Sequence, residues 1–181
     1  MIEELKVRLK NILLKKSVIT GEEFTLASGK KSDFYVDARI TTLDSEGAYL
    51  CGKIFYEFLK PYEIDAVGGY SIGADPIVSS IAVISFIENN PVPAFIIRKE
   101  KKEYGTGKAI EGNFESGMKV ALFDDVVTSG GSIIKGINTV KENGGDIKVI
   151  MSVIDREEGG EEKIKQAGYK LISIFKKSDL A

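Results

Sequence analysis

The chain has 181 residues, 43% of them hydrophobic and 29% charged, which is the size and composition of a single globular domain. Its net charge of −2 argues against a nucleic-acid-binding protein, and no apolar run approaches the length of a membrane span. Histidine is absent and Cys51 is the single cysteine, which excludes histidine-activated nucleophiles, a disulfide within the chain and a cysteine zinc site. The acidic N-terminus is unlike a secretory signal peptide and favours a cytoplasmic enzyme.

Hydrophobic periodicity predicts helices that alternate with short strands. Residues 2–16 should form an amphipathic helix, residues 24–37 a hairpin that turns at Ser28-Gly29, and Ser45 should cap a helix that runs to Leu59. The later elements are expected as strand 66–68, helix 74–88, strand 94–98, strand 119–124, helix 131–143, strand 147–154, helix 160–167 and strand 171–175. This alternation predicts an α/β fold with a central, mainly parallel sheet flanked by helices, preceded by a small N-terminal helix and hairpin.

The stretch from 99 to 112 interrupts this alternation. It is polar, rich in lysine and glycine, and has no periodicity. Structureless stretches of this length in compact domains are usually lids, binding loops or disordered segments. We expect a mobile loop that folds over an anionic substrate, because Arg98 ends a strand just before it. An ordinary solvated run of charges is the alternative interpretation.

The segment from Val120 to Ser132 is the most informative part of the sequence. An apolar strand leads into Asp124 and Asp125, and the run Thr128-Ser129-Gly130-Gly131-Ser132 then opens a helix. A glycine-rich turn at a helix N-terminus binds phosphate through its free N–H groups, and ligands of parallel sheets bind beyond the carboxyl ends of strands. Two adjacent carboxylates can accept hydrogen bonds from the two hydroxyls of a ribose. The segment therefore predicts a site for a ribose 5-phosphate group.

A second glycine-rich turn, residues 68–73, lies between another buried strand and another helix. Taken alone it is consistent with a tight turn whose glycines serve the backbone conformation. Beside the Asp-Asp segment we interpret it as a second anion site.

Three of the four arginines, Arg39, Arg98 and Arg156, come at or just after predicted strand ends. Guanidinium groups bind carboxylates and phosphates in a bidentate manner that lysine cannot provide. For Arg156, local sequence supports a salt bridge to Asp155 or Glu157 equally well.

Together these segments resemble the type I phosphoribosyltransferases, and specifically the orotate phosphoribosyltransferases. The Asp-Asp segment carries the resemblance to the superfamily, and the hairpin with the Asp155–Gly159 block makes it specific. The matching segments span nearly the whole chain and are residues 24–39, 68–76, 98–112, 120–132 and 155–159.

The resemblance implies one phosphoribosyltransferase domain over residues 1–181, with a base-binding hood at 1–40, a core at 60–155 and a mobile active-site loop at 99–112. It implies an Mg²⁺-dependent transfer of 5-phosphoribosyl from 5-phosphoribosyl 1-diphosphate to orotate, in pyrimidine biosynthesis. The products would be orotidine 5′-monophosphate and diphosphate. It also implies a homodimer in which the 99–112 loop reaches the neighbouring subunit's site, with neither nucleic acid nor membrane as a partner.

The resemblance also assigns roles to individual residues. The catalytic set it implies is Lys99, Lys102, Asp124 and Asp125. The implied donor-binding residues are Tyr70, Ser71, Ile72, Gly73, Arg98, Lys99, Lys102, Tyr104, Asp124, Asp125, Val126, Val127, Thr128, Ser129, Gly130, Gly131 and Ser132. Phe34, Tyr35, Thr128 and Arg156 would bind orotate. No direct protein ligand to Mg²⁺ is expected, since the substrate would hold the ion, with Asp124 and Asp125 acting through water.

Two positions depart from the family pattern. Ala27 stands where lysine is usual, and Tyr104 stands where the loop usually carries histidine. Tyrosine can donate a hydrogen bond to phosphate but is uncharged near neutral pH. Three rival functions share parts of the pattern: a phosphoribosyltransferase for another base, a non-catalytic sensor of the ribosyl donor, and a sugar-phosphate diphosphokinase. The hairpin together with Arg156 argues against a phosphoribosyltransferase for another base. The single helix before Phe24 is too little for a DNA-binding module, which argues against the sensor. The chain is too short for the diphosphokinase.

Overall fold

The computed structural model describes residues 2–25, 31–99 and 108–181. Seven helices lie in these ranges: α1 (Ile2–Lys16), α2 (Arg39–Thr42), α3 (Ser45–Leu59), α4 (Asp75–Ile87), α5 (Gly131–Glu142), α6 (Gly160–Gln166) and α7 (Lys177–Leu180). The strands of the same ranges are β1 (Val18–Thr25), β2 (Lys31–Val36), β3 (Ala66–Tyr70), β4 (Ala94–Ile97), β5 (Ile110–Gly112), β6 (Lys119–Val127), β7 (Asp146–Asp155) and β8 (Leu171–Lys176). Among the described helices, none has both the length and the apolar character that crossing a bilayer requires.

The central sheet has six strands in the order β5-β4-β3-β6-β7-β8. All neighbours are parallel except β5, which runs antiparallel to β4 at one edge. From β3 the chain passes first to β4 on one side and later to β6 on the other, so the strand order reverses between β3 and β6. Crevices beyond the carboxyl ends of strands at such a reversal are where open α/β sheets bind ligands.

Helices cover both faces of the sheet. Buried side chains of α1, α3 and α4 form one core with the inner face of the sheet, where Phe55 meets Phe123 edge to face with ring centroids 5.1 Å apart. Residues Ile133, Ile137 and Ile164 of α5 and α6 belong to a second core on the other face. The predicted α/β architecture is confirmed.

The N-terminal helix and hairpin are also confirmed. Strands β1 and β2 pair antiparallel as a separate two-stranded sheet, and Phe24 lies 5.3 Å from Tyr35 between ring centroids. Phe34 of β2 is only 2% exposed and belongs to the main core, so it ties the hairpin to the domain. The predicted turn at Ser28-Gly29, like Ala27, lies outside the described residues.

Several predicted boundaries were wrong, and the first strand of the hairpin begins at Val18 and not at Phe24. Asp44, not Ser45, caps α3, because its side chain accepts hydrogen bonds from the amides of Glu46 and Gly47 at 3.2 and 3.1 Å. Residues Ile110–Gly112 form a strand, although 99–112 was predicted to lack regular structure, since Ile110 pairs with Ile97 at the sheet edge. Strand β6 continues to Val127, so the two aspartates lie inside a strand and not at its end.

Candidate active site

A cleft of about 290 Å³ opens beyond the carboxyl ends of β3 and β6, where the strand order reverses. It is lined by residues from the end of the hairpin, the turn after β3, the end of β4, the end of β6 and the end of β7. These residues are Val36, Asp37, Ala38, Arg39, Tyr70, Ser71, Ile72, Gly73, Lys99, Asp124, Asp125, Val126, Thr128, Ser132 and Arg156.

The carboxylates of Asp124 and Asp125 form part of the cleft wall. Asp124 is 8% exposed, and one of its oxygens accepts a hydrogen bond from the Asp125 amide at 3.0 Å. Asp125 in turn accepts from the Val126 amide at 2.9 Å. Burial raises the pKa of Asp124 well above its usual value, and the negative charge of Asp125 adds to this, while Lys99 opposes it. Each carboxylate keeps acceptor capacity for a ligand hydroxyl.

The turn after β3 brings Gly73 against Asp125. A Cβ atom at position 73 would clash with the Asp125 carboxylate, so only glycine fits without moving the acid. The Ser71 hydroxyl donates to Asp75 at 2.7 Å, and the Ser71-Ile72 peptide bond is cis. This turn therefore holds its backbone directly over the carboxylate pair.

A smaller hollow of about 130 Å³ lies at the start of α5. It is lined by Asp124 and by residues 126–132. Gly130 takes a left-handed conformation at φ 73° and begins the helix without a side-chain cap, so the first amides of α5 face the hollow without an internal partner. Gly160 packs so closely on Val127 and Thr128 that a Cβ there would clash. Such an arrangement suits a phosphate group, and we call this hollow the phosphate cradle.

Arg156, directly after β7, contributes a buried cation to the cleft. It is 6% exposed, and its Nη2 pairs with Glu158 at 2.9 Å and donates to the Phe34 carbonyl at 3.3 Å. The salt bridge is thus to Glu158, not to Asp155 or Glu157. Its buried Nε has no hydrogen-bond partner among the described residues. A buried guanidinium N–H on a cleft wall is a donor available to an anionic ligand.

Arg98 lies beside this cleft and not in it. It lines a neighbouring cavity with Ser71, Ile72 and Lys99, and its Nη1 meets Glu111 at 3.4 Å. Its amide donates to the Ala109 carbonyl at 3.0 Å, which continues the pairing of β4 with β5. Lys99 borders both cavities.

Most of the predicted site residues in the described ranges come together. The cleft and cradle between them contain Tyr70, Ser71, Ile72, Gly73, Lys99, Asp124, Asp125, Val126, Val127, Thr128, Ser129, Gly130, Gly131, Ser132 and Arg156. Phe34 and Tyr35 do not line them: the Phe34 ring is in the core, and Tyr35 packs on Phe24. Lys102 and Tyr104 lie outside the described residues.

Sequence reasoning did not assign Val36, Asp37, Ala38 or Arg39 to the site, yet all four line the cleft. Their only signal was the position of Arg39 just after a predicted strand. Which residues of a hairpin face a cleft depends on how it packs on the domain, which local sequence does not reveal.

Within the described residues, no group of three or more His, Cys, Asp or Glu side chains is arranged to hold a metal ion. The Asp124–Asp125 pair still fits Mg²⁺, which keeps several waters and typically takes one or two carboxylates together with substrate phosphates. These two carboxylates therefore suit a metal ion that arrives already bound to a phosphorylated substrate.

Solved structures share this fold over almost the whole chain. The orotate phosphoribosyltransferase of Mycobacterium tuberculosis in complex with Fe(III) dicitrate has a TM-score of 0.86 at 31% identity, with 98% of this chain and 99% of that chain covered. The same enzyme in complex with 5-phospho-alpha-D-ribosyl 1-diphosphate has a TM-score of 0.82 at 29% identity, with 97% and 98% covered. The fold and the site between β3 and β6 define a type I phosphoribosyltransferase.

Sequence relatives narrow this class. The chain is 43% identical over 175 residues to the orotate phosphoribosyltransferase of Aquifex aeolicus (strain VF5), with 96% of each chain covered. It is 40% identical over 178 residues to that of Rhodopseudomonas palustris (strain BisB5), with 96% and 95% covered. The chain belongs to the orotate phosphoribosyltransferase family and is a pentosyltransferase. No protein-family model matches it.

Proposed function

We propose that this protein transfers the 5-phosphoribosyl group of 5-phosphoribosyl 1-diphosphate to orotate, giving orotidine 5′-monophosphate and diphosphate. The observation that carries the proposal is the Asp124–Asp125 pair, set between the Gly73 turn and the cradle at α5, with Arg156 lining the same cleft. The family relationship and the donor complex of the Mycobacterium tuberculosis enzyme support it.

Each part of the donor has a matching part of the cleft. The uncapped amides and hydroxyls of residues 128–132 suit the 5′-phosphate. Asp124 and Asp125 accept hydrogen bonds from the ribose hydroxyls. The turn of residues 70–73 and the Lys99 ammonium then meet the diphosphate, whose negative charge grows as it leaves.

Orotate binds on the Arg156 side. Its carboxylate accepts hydrogen bonds from the guanidinium, including the unpaired Nε, and Thr128 donates to its polar edge. N1 of orotate forms the new bond to C1′ of the ribose while the bond from C1′ to the diphosphate oxygen breaks, and its electron pair leaves with the diphosphate. The proton of N1 is released to the diphosphate or to water. Because orotate supplies the nucleophile, the protein needs no nucleophilic side chain.

We propose Mg²⁺ as the cofactor, held mainly by the donor, with Asp124 and Asp125 bound to it through water. When bound, Mg²⁺ neutralises negative charge on the leaving diphosphate. Lys102 of the 99–112 loop would add positive charge there, and Tyr104 would donate a hydrogen bond to phosphate.

We also propose a homodimer in which the 99–112 loop serves the neighbouring subunit. Six large apolar side chains are exposed on α2, α3 and α4, elements that contact one another: Ile40, Leu43, Tyr49, Val83, Phe86 and Ile87. Exposed apolar clusters of this kind mark interaction surfaces. We place the enzyme in the cytoplasm, which suits its lone, unpaired Cys51.

The test is an absorbance assay of orotate consumption with 5-phosphoribosyl 1-diphosphate and Mg²⁺, with uracil and hypoxanthine in parallel. We expect turnover with orotate alone. Turnover with another base would assign the protein to a different phosphoribosyltransferase activity. Donor binding without turnover of any base would identify a sensor.

Replacing Arg156 by Ala should raise the KM for orotate far more than the KM for the donor. The loss of a charge-assisted hydrogen bond costs about 1.5–3 kcal/mol, or roughly 10- to 100-fold in affinity. Steady-state kinetics with each substrate varied in turn measures this. Equal effects on the two KM values would contradict the carboxylate assignment.

A further inference from the structure

Arg39 lies on the cleft wall but has no role in the reaction derived above. It is the first residue of α2, which directly follows the hairpin, and it lines the cleft together with Ser71, Gly73 and Asp125. Its side chain is 43% exposed, so its charge is open to a ligand.

Asp37 holds this guanidinium in one orientation. Nε of Arg39 meets one carboxylate oxygen of Asp37 at 2.9 Å, and Nη2 meets the other at 3.0 Å. The Arg39 amide also donates to Asp37 at 3.1 Å, and the Asp37 amide donates to the Ser17 carbonyl of the chain before β1 at 3.0 Å. Nη1 takes no part in the pair. An arginine tied at backbone and side chain loses little further entropy when it binds.

The neighbours of Arg39 decide which part of the substrate it meets. The phosphate cradle is lined by Asp124 and residues 126–132, whereas Arg39 borders the larger cleft with the 70–73 turn and Lys99. Asp37 raises the pKa of Arg39 most, and Asp125 adds to this from across the cleft. Asp125 is the carboxylate against which Gly73 packs, so Arg39 faces the diphosphate side.

We infer that Arg39 is a further donor-binding residue, which binds the diphosphate group of the ribosyl donor, and that Asp37 is its positioning residue. The inference rests on the proposed function for the identity of the donor. It commits to a diphosphate, because a fixed guanidinium whose Nη1 takes no part in the Asp37 pair, beside a glycine turn and a lysine, matches an anion with several oxygens.

Isothermal titration with inorganic diphosphate and Mg²⁺, and separately with ribose 5-phosphate, tests the inference. The variants are Arg39→Gln, which removes the charge and keeps the length, and Arg39→Lys, which keeps the charge and loses the fork. Arg8→Gln is the matched control, since Arg8 pairs through two nitrogens with Glu46 and its side chain is 49% exposed on α1. Melting temperatures of all three show whether folding is affected.

We expect Arg39→Gln to raise the Kd for diphosphate about tenfold and leave the Kd for ribose 5-phosphate within about twofold. Arg39→Lys should lose less, and Arg8→Gln should match the unmodified protein. The KM for the donor should rise in parallel, while the KM for orotate stays constant.

An unchanged diphosphate Kd in a folded Arg39→Gln protein would overturn the inference, and so would an equal loss of ribose 5-phosphate binding. The proposed function is judged separately, from orotate turnover by the unmodified protein. If the unmodified protein turns over orotate but the Kd for diphosphate does not depend on Arg39, the proposed function stands and the inference about Arg39 is wrong.

Discussion

At the scale of single residues, the site combines a buried acid with glycines that bring backbone close to it. Asp124 is kept from water by the strands around it, and its pKa is raised mainly by that burial. Burying a carboxylate lowers the stability of the fold whenever the group is ionised. The proposed function accounts for this cost in stability, because an ionised acceptor binds a ribose hydroxyl more strongly than a neutral one.

Replacing Asp124 by Asn should therefore stabilise the fold at neutral pH and weaken donor binding. The raised pKa means that the folded protein binds more protons than the unfolded chain above about pH 4, where an unfolded Asp titrates. The free energy of unfolding of the unmodified protein thus falls as the pH rises from about 4 to the raised pKa of Asp124. The Asn variant lacks this pH dependence, because its side chain does not titrate. Donor kcat/KM should drop roughly 10- to 100-fold.

Urea unfolding across this pH range, together with steady-state kinetics, measures both effects. The advantage of the Asn variant should be small near the acid end and grow with pH. A stability difference that is constant with pH would show that the carboxyl group of Asp124 does not titrate as its burial implies.

Replacing Gly73 by Ala should weaken diphosphate binding about tenfold or more while the fold survives. The new Cβ would displace the Asp125 carboxylate, which is the end of a side chain and can move. Isothermal titration with diphosphate measures the loss of binding, and thermal unfolding shows whether the fold survives.

Gly136→Ala is the control for that variant. Gly136 lies in the middle of α5 and does not line the cleft, and the Cβ of the variant would make only ordinary contacts, to Ile97 at 3.5 Å and to the cleft residue Tyr70 at 3.9 Å. It should bind diphosphate normally and gain about 0.5–1 kcal/mol of stability from better helix propensity. Similar binding by both glycine variants would show that the close approach at position 73 has no role in the site.

At the scale of elements, two strand–turn–helix units supply the anion sites and one helix seals the core beneath them. Units β3–α4 and β6–α5 lie side by side, so their turns open onto the same edge of the sheet. Helix α3 packs on α4, and its buried face includes Cys51 and Phe55. The turns are thus held by a packed layer that water does not reach.

The reactivity of the Cys51 thiol is a probe of that packed layer. Cys51 is fully buried, and burial raises the pKa of its thiol to about 12. Because the thiolate is the reactive form, we expect the folded protein to resist labelling by a thiol reagent near pH 8, and the denatured chain to react rapidly. A Ser45→Cys variant, with an exposed thiol at the start of the same helix, is the control. Rapid labelling of Cys51 without denaturant would show that α3 opens readily.

At the scale of the whole molecule, the two helical layers differ in what they expose. The α2–α4 side carries the six exposed apolar side chains, and Phe86 at 74% is the most exposed of them. The α6 side instead exposes charged and polar residues such as Glu161, Lys165 and Gln166. Of these two sides, the α2–α4 side is the one suited to bury a second copy of the chain.

Phe86→Glu should convert the proposed dimer to a monomer, because a charge in an apolar interface is costly to bury. Size-exclusion chromatography with light scattering measures the mass. Gln166→Glu introduces the same charge on the opposite side of the sheet and should leave the dimer intact. If the unmodified protein is a monomer at assay concentrations, the shared-loop proposal fails.

Local patterns in the sequence determined the elements and the central chemistry. Apolar strands followed by glycine-rich turns and helical periodicity predict parallel strands, and the Asp-Asp run with the turn that follows it indicates the ribose site that we propose. Both signals are short-range: strand, turn and helix lie within a few residues of one another. That is why α1, the hairpin and the parallel sheet were predicted correctly.

Only the tertiary structure decided which side chains of the hairpin reach the cleft. Arg156 donates to the carbonyl of Phe34, a residue 122 positions away, and that docking turns Phe34 into the core and places Asp37 and Arg39 on the wall. The burial that raises the pKa of Asp124 is likewise a property of the strands packed around it. Contacts this distant in sequence follow from how the hairpin packs on the domain, and no local pattern of residues encodes them.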